Sequence, residues 1–207
     1  MKKILSLAAA LALAGTGLLA ATPAHAATPG CSGTLSNKTI TGNLSVPAGK
    51  SCTLSSSRVY GNVTLGKGAS LRVTGGQVSG NVTATNAPKD VRFERTTVRG
   101  NVSVSAGRSV SLASTQLGGN LSVSGLSGRA SLASSKVSGN AYLARAASVG
   151  LWANTVYGSL RVDSSRNVVL NKTRVWGNLS CAKNSPAPKG SGNKVTGSKS
   201  GQCRTLR

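Results

Sequence analysis

Eight times along the chain an apolar residue is followed, two positions later, by Gly-Asn or Gly-Ser and then by an apolar-x-apolar triplet. The first copy reads Ile40-Thr-Gly-Asn43-Leu-Ser-Val46, the fourth Val98-Arg-Gly-Asn101-Val-Ser-Val104 and the last Val175-Trp-Gly-Asn178-Leu-Ser-Cys181. The aligned residues Asn43, Asn62, Asn81, Asn101, Asn120, Asn140, Ser159 and Asn178 recur every 19 or 20 positions. So constant a period means one supersecondary unit stacked on its own copies.

Within each unit apolar and polar residues alternate, as in Val98, Val102, Val104, Val110 and Leu112 with Arg99, Ser103 and Ser111 among them. Period two is the mark of strands with one buried face. Two or three short strands per unit, broken by Gly, Ser and Asn, suit a parallel β-helix in which each coil lays its strands on the last. The expected fold is therefore all-β: a single-stranded, right-handed parallel β-helix of about 8–9 coils, on the order of 40 Å long at roughly 4.8 Å per coil. Its core should consist of columns. One runs Ile40, Val59, Val78, Val98, Leu117, Val137, Val156, Val175 and Val195. A second runs from Leu44 to Leu179 and a third from Val46 to Cys181, while Cys52 joins the column of Leu71, Val91, Val110 and Val149.

The Gly-Asn pair reads as a corner, with Gly tolerating a bent backbone and Asn a left-handed one. Stacked asparagines can also bond from coil to coil. Sequons such as Asn62-Val-Thr64 are by-products of the repeat. Two coils are longer by one residue, around Asn86–Lys89 and Gly125–Gly128. A loop is expected over Asn184–Gly192, and a frayed basic tail over 204–207.

The N-terminus reads as an address. Lys2 and Lys3 precede an apolar run, and Ala24-His-Ala26 supplies a small-x-small cleavage site, so residues 1–26 are expected to be a signal peptide and 27–203 the solenoid domain. Export makes the four cysteines legible, because an even count in an oxidising compartment usually means disulfides. Cys31 and Cys52 are 21 residues apart, and Cys181 and Cys203 are 22 apart. Each gap is close to one repeat, and coils about 4.8 Å apart lie within disulfide reach. One staple at each end is expected. A zinc site would need C-x₂-C spacing or histidines, which a chain cleaved after Ala26 lacks.

Charge is the other constraint. The chain has 25 lysines and arginines against three acids, a formal net charge of +22. An imbalance of this size points to a polyanionic partner or surface.

The closing string Val175-Trp-Gly-Asn-Leu-Ser-Cys181-Ala-Lys-Asn184, with Pro186-Ala-Pro188, Gly192-Asn193, Val195-Thr-Gly197 and Gly201-Gln-Cys203, resembles the last coil of a group of exported bacterial β-solenoid proteins. The opening, with Cys31, Gly42 to Pro47 and Cys52, resembles their first. The resemblance spans the chain beyond the signal segment and implies the fold and export, with no activity attached. The Val-x-Gly-Asn-Val rhythm is also similar to that of bactofilins, polymer-forming cytosolic β-helices. Those lack a signal peptide and these cysteines, so their function is not carried over.

Parallel β-helices often carry polysaccharide-cleaving sites, so catalysis has to be tested. A carboxylate pair needs a separation of roughly 5–9.5 Å. Asp90 and Glu94 sit four residues apart on one strand, about 13 Å, and Asp163 is coils away. Serine triads need a histidine, and the cysteines are assigned to disulfides. No catalytic residue, metal ligand or cofactor is expected.

The basic residues show order. One turn column collects Lys50, Lys89, Arg108, Arg129 and Arg166. Another collects Arg58, Lys136, Arg174 and Lys194, with Gln77 and Gln116 between. Arg72 and Arg92 stack outward on adjacent coils. An outward column holds Thr41, Tyr60, Ser79, Arg99, Ser138, Tyr157 and Trp176, where Tyr60, Tyr157 and Trp176 are candidates for stacking on sugars or bases. A flat hydroxyl column (Ser45, Thr64, Thr83, Ser103, Ser122) lacks the strict Thr-x-Thr pairs of an ice-binding surface. The expected function is a secreted or wall-associated, non-enzymatic solenoid that binds an anionic polymer: teichoic acid, acidic polysaccharide or nucleic acid. The alternatives are a self-assembling surface protein, whose charge only prevents lateral sheet aggregation, and a degenerate carbohydrate-active β-helix.

Overall fold

The computed structural model describes residues 28–206, so the expected signal peptide lies outside the described residues. Those residues form a parallel β-solenoid of about nine coils. Among them there is no helix, and so none long and apolar enough to cross a membrane.

Each coil contributes up to three strands, as in Leu44–Val46, Ser51–Ser55 and Arg58–Val59. Every pairing is parallel, between one coil and the next. The third strand of each coil builds a nine-stranded sheet from Thr39–Ile40 to Lys194–Val195. The other two build a 15-stranded sheet, which is continuous because Leu121–Ala133 and Ala141–Trp152 run through the corner between its two faces.

Register follows the repeat. Val59 pairs with Val78, Val78 with Val98, Val98 with Leu117, and so on to Val175 with Val195. Leu44 and Val46 begin the second and third columns. Nearly all these side chains are at most 1% exposed, and burial of each Val or Leu stabilises by roughly 1.5–3 kcal/mol before chain entropy is subtracted. The extra residue near Ser127-Gly128 appears as a shift, with Leu126 opposite Ala146 but Arg129 opposite Ser148.

The Gly-Asn corner differs from its sequence reading. None of the repeat asparagines has a positive φ. The glycine is required by close approach: a Cβ on Gly100 would lie 2.5 Å from the carbonyl oxygen of Gly80. The asparagines do form a ladder, in which each Oδ1 accepts the backbone N–H of the equivalent residue one coil on. Asn62, Asn81, Asn101 and Asn120 donate this way at 2.8 Å.

Two series of left-handed residues stand at the other corners, and the one beside the small sheet is Asn37, Ser56, Gly75, Arg95, Ser114, Ser134, Ala153, Lys172 and Gly192. The residue after each is, on most coils, a polar side chain turned inward. Ser57, Thr96, Thr115, Ser135, Asn154 and Thr173 are buried. All but Thr173 bond carbonyls of the preceding coil, as Thr96 Oγ1 does to Val73 at 3.1 Å and Asn154 Nδ2 does to Leu132 at 2.9 Å. This satisfies backbone groups that a sharp corner would leave unpaired.

Disulfides Cys31–Cys52 and Cys181–Cys203 close the ends as expected, with Cα separations of 5.5 and 5.1 Å. They indicate an oxidising environment. The expected loop at 184–192 instead follows the coil beneath it: Asn184 is buried and Lys189 bridges to Val169. The tail also differs over 204–206, Arg207 lying outside the described residues. Leu206 is buried against the core, and its carbonyl accepts from Lys199 Nζ at 2.6 Å.

Candidate polyanion-binding face

The basic columns fall on different sides of the rod. Arg58, Lys136, Arg174 and Lys194 do share a column on the small sheet, in register with Gln77, Thr97, Gln116 and Thr155. Tyr60, Tyr157 and Trp176 lie two residues further on, across the buried valine column, so alternation projects them from the same face. These two columns come together.

The Lys50 column does not join them. It stands at the corner between the two faces of the large sheet, where Lys89 and Arg108 occupy consecutive coils and Ala69 separates Lys50 from Lys89. Arg129 is not in this ladder. With the coil's one extra residue allowed for, it still falls one place past the ladder, opposite Ser109 and Ser148, and the N–H of Gly128 takes the ladder position by donating to the Arg108 carbonyl at 2.9 Å. The Arg129 guanidinium lies 5.7 Å from the centroid of the Trp152 ring, which covers Gly150; a Cβ there would meet that ring at 2.3 Å. Arg166 keeps its column, but Gly128 and Ala147 stand between it and Arg108.

Arg72 and Arg92 are neighbours, as expected, but they share a counterion. Arg72 reaches Glu94 Oε2 at 3.1 Å and Arg92 holds Oε1. The hydrogen bond from Arg92, seconded by Arg72, keeps the Glu94 carboxyl below the usual carboxylate range. One carboxylate therefore offsets half of that pair's charge.

All three acids lie on the large sheet. Asp90 accepts from the Ser109 hydroxyl. Asp163 is buried and held by Arg161, whose guanidinium is raised by this bond and sits 5.8 Å from the Tyr142 ring centroid. The small-sheet face and its adjoining corner have cations and no acid: Lys38, Arg58, Arg95, Arg99, Lys136, Lys172, Arg174 and Lys194, all exposed.

The face is grooved. The left-handed corner turns the chain sharply and sends the next side chain inward, leaving a concavity beside the strands. Near the first coils it is a cleft of about 570 Å³ lined by Lys38, Arg58, Gln77 and Arg95. Near the last it is one of about 320 Å³ lined by Lys172, Arg174 and Lys194. Between them Gly118 has no side chain, and a cleft of about 480 Å³ opens among Arg99, Lys136 and Tyr157. Gln77, with its amide oxygen toward Arg99, accepts from Nε and Nη2 at 3.0 and 3.2 Å and fixes that guanidinium. Tyr157 and Trp176 stack with ring centroids 6.3 Å apart and planes within 10°, each about half exposed.

Lys38, Arg95 and Lys172 were missed as members of the site. Arg95 and Lys172 occupy the left-handed position, which the sequence marks only as a residue that precedes a small polar one. Among the described residues no three His, Cys, Asp or Glu side chains gather in a way that could hold a metal ion. Neither a protein family, nor a curated protein, nor a solved structure is matched by the chain.

Proposed function

We propose that the protein is an exported, non-enzymatic solenoid that binds an anionic polymer of the cell envelope or extracellular matrix along the small-sheet face. One observation carries this reading: the acids are kept off one basic face. The three acids stand on the large sheet among arginines or hydroxyls, while eight exposed cations and three aromatic rings share one grooved face with no counterion. Charge that merely kept rods from pairing edge to edge would not need this sorting. A linear polyanion along the rod axis would meet cations, stacking rings and hydroxyls together.

The test is a binding panel of teichoic acid, acidic glycans, DNA and anionic vesicles at several salt concentrations. The expected result is affinity for at least one polymer that falls linearly with salt on a log–log plot, as counterions are released. Absence of binding to all four at low salt would refute the reading and leave self-assembly as the better account.

A further inference from the structure

On the small-sheet face the cations alternate with the coils. Numbering the coils by their small-sheet strands, from Thr39–Ile40 as the first to Lys194–Val195 as the ninth, the second carries Arg58 and the fourth Arg95 and Arg99. The sixth carries Lys136 and the eighth Lys172 and Arg174. The intervening coils present no charge on this face. The third offers Gln77 and Ser79, the fifth Gln116 and Gly118, and the seventh Thr155 and Tyr157. Only at the two ends, with Lys38 and Lys194, does an odd coil become basic.

The other basic corner shows that this is not a general property of the repeat. There, Lys50, Lys89 and Arg108 in one column, with Lys67 two residues before Ala69 on the coil between, place a cation on each of four successive coils. Charge can sit on every coil of this fold; on the small sheet it sits on every second one.

We propose that the small-sheet face recognises a linear acidic glycan in which a charged sugar alternates with a neutral one. Coils about 4.8 Å apart place these charged coils roughly 9.6 Å apart along the rod axis. Phosphates along one DNA strand recur about every 3.4 Å of helix axis, far too densely for one-to-one pairing with this spacing. A polysaccharide carrying its carboxylate on every second pyranose repeats its charge over two rings, which is the scale of two coils. The uncharged coils then have a role. Gln116 and Thr155 offer an amide and a hydroxyl to sugar hydroxyls, and Tyr157, half exposed, offers a ring against a sugar's apolar face. Gln77 has a separate task, holding Arg99 at the edge of the central cleft.

This inference rests on the face being the binding site, and the experiment separates the two claims. Binding of hyaluronan, charged on alternate sugars, is compared with that of polygalacturonate, charged on every sugar, at equal total charge and fixed salt. The expected result is about tenfold tighter binding of hyaluronan. A face that sums charge without register would instead prefer the denser polymer. The second arm uses the double variant Gln116→Lys, Thr155→Lys, which fills two uncharged coils and leaves the Gln77–Arg99 contact intact. It should raise affinity for polygalacturonate and abolish the hyaluronan preference. Equal or tighter binding of polygalacturonate by the unaltered protein overturns the alternating register while sparing the proposed binding function. Failure of both polymers to bind overturns the glycan assignment, and the panel with teichoic acid, DNA and vesicles then decides whether the face binds polyanions at all.

Discussion

An asparagine on the outer corner and a serine at the inner one perform the same service, accepting a backbone N–H from an adjacent coil. Water decides how much each is worth. Asn101 Oδ1 accepts from the exposed Asn120 N–H, and solvent can replace it, so Asn101→Ala should cost about 0.5–1.5 kcal/mol in urea denaturation. Ser135 Oγ accepts from the buried Thr115 N–H at 3.1 Å, where no solvent reaches. Ser135→Ala should cost about 1–3 kcal/mol and exceed the asparagine variant. Gly100→Ala drives a methyl into the Gly80 carbonyl and should lower stability by roughly 1–3 kcal/mol. Serine is abundant in this chain, so the inward hydroxyls at 57, 115 and 135 look like surface. Only the left-handed residue before them turns them in, and composition does not show backbone dihedrals.

At the scale of strands and coils, the repeat was a nearly complete guide, because side-chain alternation and a fixed period determine register together. It left one basic residue misplaced. Arg129 lies nine residues after Asn120 and Arg108 seven after Asn101, so even with the one extra residue of that coil Arg129 falls one place past Arg108, and the arginine goes to Trp152 instead of the basic ladder. Cysteine spacing near one repeat identified both staples. Because the disulfides join only neighbouring end coils, reduction should speed amide exchange in those coils and leave the middle ones unchanged; uniform acceleration would contradict this. Glu94 supplies a pH-dependent term. Its folded pKa is depressed, so its contribution is present above the unfolded carboxylate pKa and is lost as pH falls through the folded value. Glu94→Gln should therefore lower the melting temperature at neutral pH, by a modest amount for an exposed cluster. The difference should vanish in acid.

The whole molecule shows what no single column does. Arg58, Tyr157 and Arg95 belong to three columns of the repeat, and they become one surface only when the coil closes and the acids are seen to lie elsewhere. Apart from Lys38, Arg95 and Lys172, the candidates on that surface were legible one column at a time; their convergence and the uncharged coils between them were not. The central claim is that this face, and not diffuse charge, binds the polymer. Its most direct test compares two triple variants of equal charge loss in the slope of log affinity against log salt for the polymer bound best. One is Arg58→Gln, Lys136→Gln, Arg174→Gln on the small sheet; the other is Lys50→Gln, Lys89→Gln, Arg108→Gln at the opposite basic corner. The small-sheet variant should flatten the slope and weaken binding by about tenfold or more, while the corner variant stays close to the unaltered protein. Equal losses from the two would contradict the account.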